Sequence, residues 1–311
     1  MMILVTGGAG FIGTHLCARL MRNDHQVVSI DIADPISAVP NIEYRHVDIR
    51  NKTLLSETVA ECDLVYHLAA IVSVPLCEEH PEESYQTNVV GTQNLIQILD
   101  EQKRNIPIVF ASSAAVYGEK GNHGLALKET DSLVHQPESL LSNYARHKAA
   151  CEVLLNEAHS VPSLSLRFFN VYGPGQDPKS PYSGVITQFA ENIRSNQPIE
   201  IFGSGKQTRD FVSVGDICGA LTYIAGSNDS KKFFQAQVLN LGSGLPTSIH
   251  KLAETMLSIS NKTSEINFRP ERTGDILHSL SDISKANEVL GWTPEVDLKT
   301  GIQETLDLSQ L

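Results

Sequence analysis

The sequence predicts an α/β fold, a doubly wound parallel sheet with a smaller α/β domain attached. Three observations carry that expectation. Apolar runs of strand length alternate with helical stretches through the first 170 residues. The first apolar run leads straight into a glycine-rich turn and then a helix. Chemically notable residues fall where apolar runs stop, and ligands of such sheets bind at the carboxyl ends of the strands.

Taken in order, Ile3, Leu4 and Val5 form the first strand, over 2–6, and a helix follows over 11–22. Between and into them runs Thr6-Gly7-Gly8-Ala9-Gly10-Phe11-Ile12-Gly13, a G-x-x-G-x-x-G pattern on Gly7, Gly10 and Gly13. Gly7 permits the sharp turn out of the strand. Gly10 lets a pyrophosphate touch the backbone, and Gly13 lets the helix pack close to the strand. The free N–H groups of the first helical turn, at Phe11 and Ile12, then face the phosphates. The second strand, 27–31, ends in Asp31, 18 residues after Gly13. An acid there accepts hydrogen bonds from a ribose 2′-OH. The sheet is therefore of the Rossmann type, and its dinucleotide is NAD. A carboxylate repels a 2′-phosphate, and no Arg or Lys follows Asp31 before Arg45.

The third strand, 43–47, is closed by Asp48-Ile49. That carboxylate either meets the adenine amino group or caps the helix expected near 53–60. The fourth, 63–68, closes on His67-Leu68-Ala69-Ala70. The small residues let the nicotinamide side of the cofactor lie against backbone, and His67 reads as a core histidine. A long amphipathic helix is expected over 84–103, with Asn88 bonding backbone in the core. The fifth strand, 107–112, runs into Ser112-Ser113. A helix over 143–159 and a strand over 164–169 follow, the strand ending at Asn170.

After Asn170 the character changes, and residues 171–183 are rich in Gly, Pro, Ser and Tyr. Helices are expected at 184–196, 215–226, 248–260, 282–290 and 299–308, and strands at 199–202, 210–213 and 238–241. The expected division is a cofactor domain of residues 1–170 plus about 236–262. A substrate domain takes about 171–235 plus 263–311.

Composition narrows the class. The chain has 311 residues, 41% of them hydrophobic and 19% charged, enough for a large core. A net charge of −12 argues against nucleic acid as the main partner. No apolar stretch approaches the roughly 20 residues that span a bilayer. The chain opens on a core strand and its five cysteines are scattered. Both features fit reduced thiols in a cytoplasmic protein. Cys77-Glu78-Glu79-His80 has no matching ligand cluster elsewhere, so no metal is expected.

The chemistry is expected at Tyr144 and Lys148, spaced i and i+4 and so on one helix face. A phenol near pKa 10 is a poor base at pH 7. A neighbouring ammonium and the positive nicotinamide ring favour the phenolate and lower that pKa. Ser113, about thirty residues earlier, can orient a substrate hydroxyl towards Tyr144.

With these motifs in order, the chain resembles the extended short-chain dehydrogenases/reductases, above all the nucleotide-sugar epimerases and dehydratases. The likeness rests on Thr6–Gly13, Asp31, His67–Ala70, Asn88 with Gly91-Thr92, Ser113, Tyr144/Lys148, Arg167–Pro174, Gln207–Val212 and Arg272–Asp275. UDP-hexose 4-epimerases are the nearest in look. The resemblance implies that Ser113, Tyr144 and Lys148 are the catalytic trio. Tyr144 takes the proton of a sugar 4-OH, C4 is oxidised to a ketone, and reduction on the opposite face completes an epimerisation. NAD stays bound. The resemblance also assigns the diphosphate to Arg209 and Arg272, the nucleotide ribose to Asp275 and the phosphate region to Asn170. Related dehydratases carry an Asp-Glu pair after the serine, and related decarboxylases a Glu close by. Here Ala114 and Ala115 stand in those places, and alanine transfers no proton. Keto-sugar reduction is the alternative reaction.

The substrate so implied is a UDP-sugar or dTDP-sugar of the glucose/galactose type. The pocket position four after Asp275 is Ser279, where an aromatic marks enzymes restricted to those two sugars. Ser279 implies room for an N-acetyl group. Relatives dimerise through two helices per subunit, here those near 84–103 and 143–159, which implies a homodimer with a four-helix interface.

Overall fold

The structure is a computed structural model that describes every residue except 36, 179, 181–182, 228–231, 273–274 and 309–311. Residues 273–274, the middle of the Arg272–Asp275 motif, thus lie outside the described residues. The chain runs β1 (Met2–Thr6), α1 (Phe11–Arg22), β2 (Gln26–Asp31), β3 (Glu43–His46), α2 (Lys52–Val59), β4 (Leu64–His67), α3 (Val74–Glu79) and α4 (Pro81–Tyr85). A π-helical turn (Gln86–Val90) leads into α5 (Gly91–Gln102), then β5 (Ile108–Ser113), α6 (Asn143–Glu157), β6 (Ser163–Phe168), β7 (Asn170–Tyr172) and α7 (Val185–Arg194). There follow β8 (Ile199–Phe202), β9 (Thr208–Ser213), α8 (Val214–Gly226), β10 (Gln237–Leu241), β11 (Pro246–Ser248) and α9 (Ile249–Ser260). The last elements are β12 (Ile266–Arg269), α10 (Ser284–Leu290) and α11 (Leu298–Leu308).

Seven strands form one sheet in the order β10-β6-β5-β4-β1-β2-β3. The pairs β1–β2, β1–β4, β2–β3 and β4–β5 are parallel. From β1 the chain builds outward through β2 and β3, then crosses to β4 and builds the other way. The switch point therefore lies beyond the carboxyl ends of β1 and β4, where such sheets bind ligands. The central strands read as nearly continuous apolar runs because helices cover both faces, whereas the edge strand β3 is polar. Ile3, Leu4, Val5 and Thr6 are all fully buried. One core cluster joins Leu4, Ile30, Val65 and Phe110 to Leu55, Leu95, Leu99 and Leu155 of the helices.

The expected helix over 84–103 is interrupted. The π turn presents Asn88 to the loop after β4, where its amide accepts from Ile71 N at 2.7 Å and donates to Ile71 O at 2.9 Å. This is the backbone role expected of Asn88, made to a loop rather than to a strand.

The chain divides into two compact units. The first holds residues 1–116, 133–167 and 218–239; the second holds 117–132, 168–217 and 240–311. The expected boundaries differ from these over residues 117–132, which belong to the second unit, and at two helices. The apolar face of α9, with Ile249, Leu252, Ala253 and Met256, joins Phe189, Ile201 and Phe211 in the second unit's core. Residues 218–226 of α8 belong to the first unit, where Tyr66 Oη donates to Leu221 O. The second unit contains a three-stranded sheet, β11-β9-β7, and a two-stranded one, β12-β8. No described helix is long and apolar enough to cross a membrane.

Candidate functional site

The glycine turn is a cradle closed on one side and open on the other. Gly7 lies at φ +71°, and a Cβ there would stand 2.7 Å from Ala69 N. A Cβ on Gly13 would stand 2.2 Å from Gly7 O and 2.7 Å from Gly8 Cα. Gly13 therefore lets the helix close on the turn itself, rather than on the strand as the sequence implied. A Cβ on Gly10 would meet a single atom within 4 Å, Gly7 O at 3.2 Å. Its outer side is thus open for a phosphate at the N-terminus of α1, where Phe11 and Ile12 begin the helix. The Asp31 carboxylate accepts from Ala9 N at 3.1 Å, Ile32 N at 2.8 Å and Ala33 N at 3.1 Å. These bonds aim it from the end of β2 at the turn, with oxygen lone pairs left for a ribose hydroxyl. The residues present fit a dinucleotide. Gly13→Ala is expected to cost about 1–3 kcal/mol of stability, read by denaturant unfolding, and to strip the bound cofactor, read by NAD released on acid precipitation.

Of its two expected roles, Asp48 does not take the cap of α2. Its carboxylate is gripped by Arg50, with Nη2 to Oδ2 at 2.6 Å and Nε to Oδ1 at 3.0 Å. That pairing holds its pKa below the usual carboxylate range. The cap of α2 is Asn51, whose Oδ1 accepts from Leu54 N. Ile49 packs its side chain against Gly91, where a Cβ would come within 2.5 Å of Ile49 Cδ1.

His67 is a satisfied core histidine. Its Nδ1 lies 2.7 Å from Thr6 Oγ1 and its Nε2 2.9 Å from Thr92 Oγ1. Thr92 gives its hydroxyl proton to Asn88 O, so Nε2 carries hydrogen and donates to Thr92, while Nδ1 accepts from Thr6. Burial, with Lys148 adding to it, pushes the His67 pKa down to about 3. Thr6 Oγ1 also accepts from Ala69 N, which pins the Leu68-Ala69-Ala70 segment against the glycine turn. Sequence reasoning passed over Thr6 and its brace, although a polar residue closing an apolar strand was the available signal.

Beyond β5 the expected trio comes together. Ser142 Oγ caps α6 by accepting from Ala145 N at 3.1 Å. Asn143 N donates to Glu78 Oε1 at 2.6 Å, tying α3 to the residue before Tyr144. Ser113 stands beside the Tyr144 phenol and acts to lower its pKa. The Lys148 ammonium lies 5.9 Å from the centre of the Tyr144 ring and 4.7 Å from that of Phe110. It donates to Ala111 O at 2.6 Å. The expectation that this ammonium lowers the phenol's pKa is not met within the chain alone. Burial dominates and pushes Tyr144 up to about 12, with only the neighbouring Ser113 pulling it down. Burial also pushes Lys148 down to about 8.

The second unit gathers another set. Arg209 Nη2 donates to Asp275 Oδ1 at 2.6 Å, and burial pushes the guanidinium's pKa down while Asp275 holds it up. The Arg272 guanidinium stacks 3.8 Å from the centre of the Phe202 ring. Ser279 is buried, its N donating to Thr208 O next to Arg209. Asn170 Nδ2 donates to Asp210 O at 3.1 Å. A cavity of about 150 Å³ opens between Phe202, Lys206, Gln207, Asp275, Leu277 and His278. Arg209, Arg272, Asp275 and Ser279 are thus drawn from two distant stretches of sequence to one face. Phe202, Lys206 and His278 were not singled out in the sequence; the Gly203-Ser204-Gly205 turn between two strands was the signal. Among the described residues, no group of three or more His, Cys, Asp or Glu side chains is placed to hold a metal ion.

Comparison with known proteins bears on this geometry. Residues 3–242 match the model of the NAD dependent epimerase/dehydratase family. A UDP-glucose 4-epimerase of Mycolicibacterium smegmatis is 33% identical, over 99% of this chain and 98% of its own. A UDP-N-acetyl-alpha-D-glucosaminuronate decarboxylase of Bacillus cytotoxicus is 31% identical, over 97% of this chain and 96% of its own. The crystal structure of a Thermus thermophilus UDP-glucose 4-epimerase in complex with NAD superposes with a TM-score of 0.87. It is 30% identical and covers 100% of this chain and 99% of its own.

Proposed function

The chain belongs to the NAD-dependent epimerase/dehydratase family, its cofactor is NAD, and from that premise we propose that it is a UDP-sugar 4-epimerase. One observation carries the choice of reaction. Ser113 stands beside the Tyr144 phenol at the end of β5 and eases its pKa down, and the next two residues are Ala114 and Ala115. A proton can be exchanged with a sugar hydroxyl there, but no side chain at those two places can drive elimination of water.

In this reading Ser113 orients the 4-OH of the sugar and Tyr144 removes its proton. Bound NAD supplies the acceptor, and later the donor, of the hydride at C4. Lys148 keeps positive charge beside the phenol. Once the ketone has turned over so that its opposite face is the one reduced, Tyr144 returns the proton to the C4 oxygen. The glycine turn and α1 hold the pyrophosphate at Gly7, Gly10, Phe11, Ile12 and Gly13, and Asp31 holds the adenosine ribose. Ile49 and Asp48 border the adenine, and Leu68, Ala69 and Ala70 the nicotinamide. Arg209 and Arg272 take the UDP diphosphate, since a buried diphosphate is costly without cations. Asn170 supports the phosphates and Asp275 the ribose. Two such chains associate through α5 and α6, which light scattering checks as a mass twice that of the monomer.

Purified protein is expected to interconvert UDP-glucose and UDP-galactose without added NAD or NADH. Turnover only with stoichiometric NADH would favour the reductase. Release of carbon dioxide from a carboxylated UDP-sugar would make it a decarboxylase, like the Bacillus cytotoxicus relative. Ser279 supports acceptance of UDP-N-acetylglucosamine as well. Ser279→Tyr is then expected to cut kcat/KM for the acetylated sugar by about 10- to 200-fold and to spare UDP-glucose. Equal losses on both sugars would remove Ser279 from the specificity pocket.

A further inference from the structure

Helix α6 is fastened to β5 at three successive turns. Tyr144, Lys148 and Glu152 follow at four-residue intervals and share a face. They meet three consecutive residues of the strand. Tyr144 stands beside Ser113, Lys148 donates to Ala111 O, and Glu152 Oε1 accepts from the Ser112 hydroxyl. Arg167 on β6 grips the same carboxylate as a fork, Nε to Oε1 at 2.9 Å and Nη2 to Oε2 at 2.6 Å. Lys148, Glu152, Arg167 and Ser112 are all buried, at 4% exposure or less. The proposed chemistry uses neither Glu152 nor Arg167.

Burial makes this fork a rigid part. A buried carboxylate stripped of its cation is strongly destabilising, and a bidentate arginine pair admits one geometry. Helix α6 therefore cannot slide along β5 without stranding a charge, one turn from Lys148. We infer that Glu152, gripped by Arg167 and Ser112, is a positioning residue that keeps Lys148 in register and charged beside Tyr144; this rests on the epimerase reading. The groups around Lys148 agree. From α6 these are Tyr144, His147, Cys151 and Glu152; from α3, Cys77; from β4, His67; and from β5, the ring of Phe110. His67 is neutral at pH 7, and Glu152 is the carboxylate that opposes the loss of the lysine proton. Removing that carboxylate lowers the lysine pKa, and a stranded Arg167 pushes the same way.

The test uses full-length protein labelled with carbon-13 at lysine Cε, with Lys148 assigned from its absence in Lys148→Met. In Glu152→Gln the Lys148 titration midpoint is expected to fall by about one pH unit. At pH 7.5 kcat is expected to fall by about 10- to 100-fold, with KM for the UDP-sugar within about threefold of wild type. The paired variant Glu152→Leu/Arg167→Leu leaves no charge stranded and guards against a variant that does not fold. It is expected to keep wild-type thermal stability while its Lys148 midpoint and kcat both stay low. A wild-type midpoint and kcat in the paired variant would overturn the inference and leave the fork a purely structural clamp. The midpoint needs no substrate. A moved midpoint in a protein that turns over no UDP-sugar would therefore uphold the positioning role and sink the epimerase reading alone.

Discussion

Tyr144→Phe is expected to lower kcat by about 100- to 10,000-fold, while NAD stays bound and KM for the UDP-sugar changes little. The phenylalanine ring fills the same space on α6, so only the hydroxyl is lost. What that hydroxyl does is set by its surroundings. Burial holds the phenol near 12, and Ser113 alone among its neighbours in the chain eases it down. The phenolate fraction then rises tenfold per pH unit across the neutral range. Lys148, near 8, is charged below that pH and discharged above it. Activity is therefore expected to climb from pH 6 towards 8 and to stop climbing, or fall, beyond it, where the supporting cation is lost. Steady-state kinetics of wild type and Tyr144→Phe across pH 6–10 check both points. Retention of more than a tenth of wild-type kcat by the phenylalanine variant would remove Tyr144 from the proton transfer.

The sheet was legible because its signals are local. Apart from the polar edge strand β3, each strand from β1 to β6 is a largely apolar run, and covering helices leave no polar face to blur it. The strands that escaped notice, β7, β11 and β12, have three or four residues, and Phe268 in β12 is exposed. Such pieces are stabilised by their partners, Phe211 opposite Asn170 and Ile199 opposite Ile266, which lie far away in sequence. The domain assignments of α8 and α9 were illegible for the same reason: amphipathicity says that a helix packs, not against what. The position of Asp31 at the end of β2 and the placement of Tyr144 and Lys148 on one face of α6 were readable because both follow from local strand and helix periodicity. The Arg50 grip on Asp48 was not, since a carboxylate two residues before an arginine carries no fixed geometry. Nor was the size of the Tyr144 shift, because burial is a property of the folded surroundings and not of the Y-x-x-x-K spacing.

Asp210→Asn is expected to destabilise the second unit by about 3–5 kcal/mol, although the two side chains have nearly the same shape. Asp210 is fully buried on β9. Its Oδ1 accepts from Ser243 N at 2.6 Å and Ser243 Oγ at 2.7 Å. Its Oδ2 accepts from Gly244 N at 3.0 Å, Ser281 N at 3.0 Å and Ser281 Oγ at 2.5 Å. An asparagine must put its NH2 at one of these two places. The serine hydroxyls can turn to accept from it, but the backbone N–H groups cannot. Whichever way the amide is set, at least one buried N–H is left facing another donor, at the full cost of its desolvation. The loss should not stay confined to stability. Asp210 follows Arg209, its carbonyl accepts from Asn170 Nδ2, and its carboxylate ties down Ser281, two residues beyond Ser279. Asp210 thus braces the neighbourhood of Asn170, Arg209 and Ser279 among the proposed nucleotide-sugar contacts, so KM for the UDP-sugar is expected to rise more than kcat falls. Denaturant unfolding of the variant measures the first effect and initial-rate kinetics the second. An asparagine variant within about 0.5 kcal/mol of wild type would mean that the five donors find other acceptors and that Asp210 does not hold this part of the fold together.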